Sequence, residues 1–234
     1  MIKTAMILAA GRGERMRPLT DHCPKPLLEV GGAALIVWHL RRMAAAGIQR
    51  VVINHAHLGH MIEAALGNGQ QWGLEIKYSA ETEALETAGG IVKALPWLGD
   101  APFLVVNGDI FSSWPIERSL TLSAQMRAAG LLAWCVLIDN PEHNQKGDFA
   151  LKTGFLQNTG NRRLTYSGIA LFEPQLFKDC VSGQKAALAP LLRVAADQNR
   201  AGAEYFSGRW VDVGTPQRLT ELDQLLHRES RTKL

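Results

Sequence analysis

Four apolar runs along the chain lack the alternation of a half-exposed strand: Ala5 to Ala9, Val51 to Ile53, Phe103 to Val106 and Leu131 to Ile138. Continuous runs of this length suit strands covered on both faces, as in a parallel sheet. Between them the apolar spacing changes to that of helices. Leu35 to Ala46 carries such a pattern and stops at Gly47, a natural C-terminal cap. Thr87 is placed to cap a helix that runs to about Leu95, ahead of Pro96. Strands are expected again at Phe149 to Lys152 and Leu164 to Phe172, joined by a polar stretch with Gly154, Asn158, Gly160 and Asn161. Helices are expected at Lys185 to Asn199 and Pro216 to Arg228.

Strand, helix, strand, helix in this order predicts an α/β fold with a doubly wound, mostly parallel sheet. The less regular second half is expected to fold over the sheet edge as a small substrate-binding subdomain. The composition does not shift along the chain, and no repeat or linker interrupts it. Residues 1–234 therefore read as a single domain, a size at which about 70% of the unfolded surface is buried without staples.

Charge and cysteine content remove several classes. The net charge is +3, too small an excess to argue for nucleic acid or a membrane surface. Cys23, Cys135 and Cys180 are scattered, with no Cys-x-x-Cys pair, which argues against a disulfide framework or a structural zinc site. Lys3 followed by the short run Ala5 to Ala10 reads as a first buried strand rather than a signal peptide. No stretch reaches the ~20 apolar residues of a membrane span. The cytoplasm is the expected compartment.

The strongest chemical signal is Leu8-Ala9-Ala10-Gly11-Arg12-Gly13-Glu14-Arg15-Met16-Arg17-Pro18-Leu19-Thr20, followed by Pro24-Lys25-Pro26-Leu27. A buried strand here runs into a glycine-containing loop whose amides can approach phosphate oxygens closely. Arg15 and Lys25 add positive charge for a polyphosphate. A Walker A loop would need Gly-Lys-Ser/Thr, which is missing. A dinucleotide fingerprint would need glycine at position 16, and an acid where Asn54-His55 stands.

These motifs, with Asn107-Gly108-Asp109 and Trp210-Val211-Asp212-Val213-Gly214-Thr215-Pro216, resemble the sugar-phosphate nucleotidyltransferase family along nearly the whole chain. The resemblance implies a Rossmann-like, GT-A-like fold with a nucleotide-binding half to about residue 110 and a sugar-binding half beyond it. It also implies a magnesium site on Asp109 and Asp212 and catalytic weight on Arg15 and Lys25, with Arg12 and Arg17 auxiliary. Asp109 has independent support, because it lies just past the carboxyl end of an apolar strand, where open α/β sheets bind ligands. Two carboxylates also suit magnesium when phosphates and water complete its shell.

By the same resemblance Ala10, Gly11, Gly13, Glu81 and Gly89 hold the nucleotide, Glu81 reading the base. Asn107, Gly147, Asp148 and Ser167 are expected at the sugar. His55 and His57 are expected to be structural. Val52 to Gly59 and Leu85 to Gly90 are similar to the uridylyltransferases of bacterial cell-wall recycling, which act on N-acetylmuramic acid 1-phosphate. The expected partners are UTP and that sugar phosphate, for a monomer or weak oligomer. Mannose-1-phosphate guanylyltransferases, glucose-1-phosphate thymidylyl- or uridylyltransferases and a non-catalytic nucleotide-sugar sensor are the alternatives. Ala150-Leu151-Lys152 stands where many glucose and mannose relatives have Glu-Lys-Pro, so their sugar contacts do not transfer. Lys152, Arg162 and Arg163 are the cations expected to meet the lactyl carboxylate.

Overall fold

A computed structural model describes residues 2–232. The strands are β1 (Thr4–Leu8), β2 (Glu29–Val30), β3 (Ala33–Ala34), β4 (Arg50–His55), β5 (Glu75–Ala80), β6 (Phe103–Asn107), β7 (Ile110–Ser112), β8 (Ala133–Ile138), β9 (Phe149–Lys152), β10 (Phe155–Gln157), β11 (Arg163–Phe172), β12 (Ala201–Tyr205) and β13 (Trp210–Asp212). The helices are α1 (Leu35–Ala45), α2 (Gly59–Leu66), α3 (Glu86–Leu98), α4 (Arg118–Ala128), α5 (Leu188–Asp197) and α6 (Pro216–Thr232).

Nine strands form one sheet in the order β5-β4-β1-β6-β11-β8-β12-β10-β9. The four apolar runs supply β1, β4, β6 and β8, and β5, β4, β1 and β6 pair in parallel. From β11 onward the sheet is mixed: β11 runs antiparallel to both β6 and β8, and only β8 and β12 pair in parallel beyond it. Because β11 lies between β6 and β8, the second half continues the sheet of the first. Separate apolar clusters cover its two faces. Ile36, Leu40, Ile53 and Leu104 belong to one, and Ile91, Phe103, Phe172 and Leu192 to the other. A smaller core of Met16, Leu35, Phe111, Val213 and Leu222 seats α6 against the loop after β1.

Helix α6 runs past its expected end at Arg228 to Thr232, and two further helices depart from their expected bounds. Helix α3 starts at Glu86 and contains Pro96 in its last turn, ending where Gly99 N–H reaches Leu95 O. Proline so near the end removes one hydrogen bond without kinking a long segment. Helix α5 starts at Leu188 rather than Lys185 because the preceding residues are held elsewhere. Ala186 N–H donates to Leu85 O, and Ala88 and Gly89 N–H both donate to Ala186 O. Tertiary pairing thus takes the residues that periodicity would have added to the helix.

Candidate active site

The carboxyl ends of β1, β4 and β6 meet at one rim. Above it lies a cavity of about 390 Å³ lined by Ala10, Gly11, Gly13, Arg15, Lys25, Asn54, Asn107 and Asp109, with Glu86 and Thr87 from the start of α3. This is the size range of ligand pockets. The phosphate loop is shaped by Gly13, whose φ of 71° is the left-handed region that side chains disfavour. Its carbonyl accepts from Met16 N–H at 2.9 Å and from the buried Thr20 hydroxyl at 2.9 Å.

The loop's arginines are sorted by their partners. Arg12 donates to Thr20 O at 2.7 Å and to Asp21 at 3.0 Å. Arg17 donates to the same Asp21 oxygen at 2.9 Å. The hydrogen bond from Arg12, with the charge of Arg17, holds the Asp21 carboxyl below its ordinary range. Arg15 lines the cavity and makes no ion pair or hydrogen bond with any described residue. It is the guanidinium left for a ligand.

Asp109 and Asp212 are brought together by a two-stranded ladder. β7 and β13 pair antiparallel, with Asp212 opposite Ile110 and Val213 N–H donating to Asp109 O at 2.9 Å. The Trp210 indole N–H donates to Ser167 O at 2.8 Å and fixes this ladder on the main sheet. One oxygen of each carboxylate is engaged. Lys25, almost fully buried, places Nζ 2.9 Å from Asp109 Oδ2. Asp212 Oδ2 accepts from Arg218 of α6 at 2.9 Å and faces His143 Nε2 at 3.3 Å. Neither Oδ1 meets a partner among the described residues. Among the described residues no three acidic, histidine or cysteine side chains are grouped so as to hold a metal ion by themselves. Two carboxylates with free oxygens fit a divalent ion whose other ligands come from phosphates and water.

The residues expected at the base and sugar are placed less uniformly. Glu81 is buried away from the cavity and both of its oxygens are occupied. Oε1 accepts from Asn54 Nδ2 at 2.7 Å and Oε2 from Leu85 N–H at 2.9 Å. Asn54 in turn accepts from Ala9 N–H at 2.9 Å, and it is Asn54 that lines the cavity. Gly89 is likewise set back: a β-carbon on it would fall 2.5 Å from Gln184 O, so its smallness admits the segment before α5. Gly147 and Ser167 also lie off the cavity walls. Gly147 turns the chain at φ 61°, and Ser167 is buried in a β11 bulge with its hydroxyl accepting from Ile169 N–H. Asp148 lines a second cavity of about 520 Å³, and Asn107 lines both cavities, as do Glu86 and Thr87. His57 Nε2 donates to Thr20 O at 3.0 Å, and His55 lies 2.8 Å from Glu63, outside both cavities.

Asn54, His143 and Arg218 were not expected from the sequence. Asn54 carried a usable signal, being the first polar residue after the apolar run of β4, at the rim where β1 and β6 also end. His143 and Arg218 carried none, because nothing in their local sequence points to Asp212.

The chain belongs to the nucleotidyl transferase family, whose model matches residues 4–149. Within it, the chain is 48% identical to an N-acetylmuramate alpha-1-phosphate uridylyltransferase of Neisseria meningitidis serogroup B, covering 94% of this chain and 97% of that protein. It is 35% identical to the Caulobacter vibrioides enzyme of the same name, over 92% of this chain and 93% of that one. A solved Bacillus anthracis structure, described as a glucose-1-phosphate thymidylyltransferase in complex with sucrose, shares the fold with a TM-score of 0.83 at 20% identity, covering 97% of this chain and 95% of its own.

Proposed function

We propose that this chain transfers the uridylyl group of UTP to N-acetylmuramic acid 1-phosphate, giving the UDP-sugar and pyrophosphate, in cytoplasmic recycling of the cell wall. One observation carries the choice of substrate: the likeness to two enzymes named for that reaction extends along more than nine-tenths of the chain. The geometry supports the reaction class. The acceptor is a phosphate monoester with a second pKa of about 6, so it is dianionic at neutral pH and needs no base. Its oxygen attacks the α-phosphorus, the new P–O bond forms, and the bond to pyrophosphate breaks with no proton transferred.

The protein's task is therefore alignment and charge neutralisation. The loop amides around Gly11 cradle the triphosphate, and Arg15 meets the charge that grows on the transferring and leaving phosphates. Lys25 bridges that loop to Asp109. Asp109 and Asp212 are the residues that would hold magnesium, which would supply neutralising charge at the phosphates. Asn54 is the side chain that reads uracil. Its orientation is locked by Glu81 and by Ala9 N–H, which leaves one amide hydrogen for a base carbonyl.

The test is pyrophosphate release over a grid of UTP, dTTP and GTP with the 1-phosphates of N-acetylmuramic acid, N-acetylglucosamine, glucose and mannose. UTP with N-acetylmuramic acid 1-phosphate is expected to give the highest kcat/KM, and EDTA to abolish turnover until magnesium is restored. A higher kcat/KM for GTP with mannose 1-phosphate would overturn the assignment of substrate. Activity that survives EDTA would overturn that of the metal.

A further inference from the structure

N-acetylmuramic acid differs from N-acetylglucosamine by a lactyl ether ending in a carboxylate, and an anion buried without a partner is strongly unfavourable. The three cations singled out by sequence do not meet that need. Arg162 donates to Asp139 at 2.7 Å and lies over the Tyr205 ring. Arg163 donates to Asp148 O at 2.6 Å. Lys152 is exposed at the end of β9, and none of the three lines the second cavity.

One cation does line it. Arg193, on α5, lies with its guanidinium 5.3 Å from the centre of the Phe149 ring and has no acidic partner among the described residues. Two acids share the cavity: Asp148 is already engaged, accepting from Asn144 Nδ2 at 3.1 Å and from Tyr166 N–H at 2.8 Å, and Glu86, at the start of α3, stands on the wall shared with the nucleotide cavity. The first turn of α5 supplies Leu188 and Ala189 to the same wall. That turn holds no acid, and no side chain caps it. The N–H groups of Leu188 and Ala189, together with the helix dipole, favour an anion there, while Pro190 in the same turn has no N–H to offer. Tyr166 also lines the cavity, and its buried hydroxyl has no hydrogen-bond partner. Arg193 and an uncapped helix start therefore line one cavity, whose wall shares Glu86, Thr87 and Asn107 with the nucleotide cavity.

Resting on the acceptor proposed above, we infer that this second cavity holds the lactyl group, with its carboxylate bound by Arg193 and the first turn of α5. The site is then what separates the acid-bearing acceptor from its neutral counterpart. Arg193→Ala and Ala189→Glu test it from two directions. The first removes the cation. The second places a like charge at the helix start, where a glutamate favours the helix itself, so folding does not confound the result.

Steady-state kinetics with UTP would be measured for N-acetylmuramic acid 1-phosphate and N-acetylglucosamine 1-phosphate. The ratio of their kcat/KM values is expected to fall about tenfold or more in each variant, the size of a lost charge-assisted hydrogen bond. The change should lie mainly in the KM of the acid-bearing acceptor. Arg193→Lys should recover part of the ratio. If the wild type prefers the acid-bearing acceptor and the variants keep that preference, or lose both acceptors in parallel, this inference is overturned while the acceptor stands. If the wild type shows no such preference, the acceptor assignment fails and the inference falls with it.

Discussion

Three arginines crowd the phosphate loop, and only their partners tell them apart. Arg12 and Arg17 converge on Asp21, whereas Arg15 has no partner among the described residues and faces the cavity. Arg15→Ala is accordingly expected to lower kcat by roughly 10³, as for other arginines at transferring phosphates. Arg12→Ala should lower it by less than about tenfold. It should instead cost about 1 kcal/mol of stability through the hydrogen bonds lost to Thr20 and Asp21. Measuring kcat and thermal midpoints for both variants decides the matter, and the reverse ranking would transfer the catalytic role to Arg12. At this scale much of the site was legible in the sequence. Gly11, Gly13, Arg15, Lys25 and Asp109 announce themselves as a strand that ends in a basic, glycine-bearing loop. Glu81 and Ser167 did not disclose their place, because whether a polar side chain faces a ligand or a buried amide depends on neighbours far along the chain.

Helix α3 begins at a crowded junction of elements. Glu86 takes a positive φ of 62° there and faces both cavities. The turn before it is secured by Glu81, which accepts from Leu85 N–H and orients Asn54 on the neighbouring strand β4. Asn54→Ala should raise the KM for UTP about tenfold, since a donor to the base is lost. Glu81→Ala should do likewise while also destabilising the fold by about 1–3 kcal/mol, because Leu85 N–H and the Asn54 amide are left without an acceptor. Glu81→Gln, which keeps one carbonyl oxygen, should be milder and leave the preference for UTP over GTP intact. A switch of base preference in Glu81→Gln would mean that this side chain reads the base itself. Element identities were readable from period and length, as with β1, β4, β6 and β11. The ends of α3 and α5 were not, because Ala186 pairs with the start of α3 and no periodicity encodes that contact.

The whole molecule depends on burial that pH can undo. His39, on α1, is fully buried beneath β7, and desolvation with the nearby Arg42 charge lowers its pKa from 6.5 to about 4. The folded state thus keeps the imidazole neutral. Between about pH 6.5 and about pH 4 the unfolded chain binds the proton more readily, so stability present at neutral pH is lost as the pH falls through that window. From pH 7 to pH 4.5 this one group should remove roughly 2–3 kcal/mol. Urea unfolding at both values, for the wild type and His39→Gln, is the measurement. The variant should lose less on acidification by about that amount, and equal losses would exonerate His39. Three of the four uniform apolar runs, those of β1, β4 and β6, announced the parallel half of the sheet, and the fourth became β8 on the far side of β11. The antiparallel insertion of β11 was not announced, because a buried strand has the same pattern in either direction.

That Asp212 reaches Asp109 only through the pairing of β13 with β7 bears on when the protein becomes active during its own synthesis. The ribosome makes the loop, the cavity rim and Asp109 in the first half of the chain. The second carboxylate arrives only after residue 209, and the arginine that steadies it comes later still, on α6. The two carboxylates proposed for the metal are thus far apart in the order of synthesis, and the site that needs both is assembled only once β13 has paired with β7.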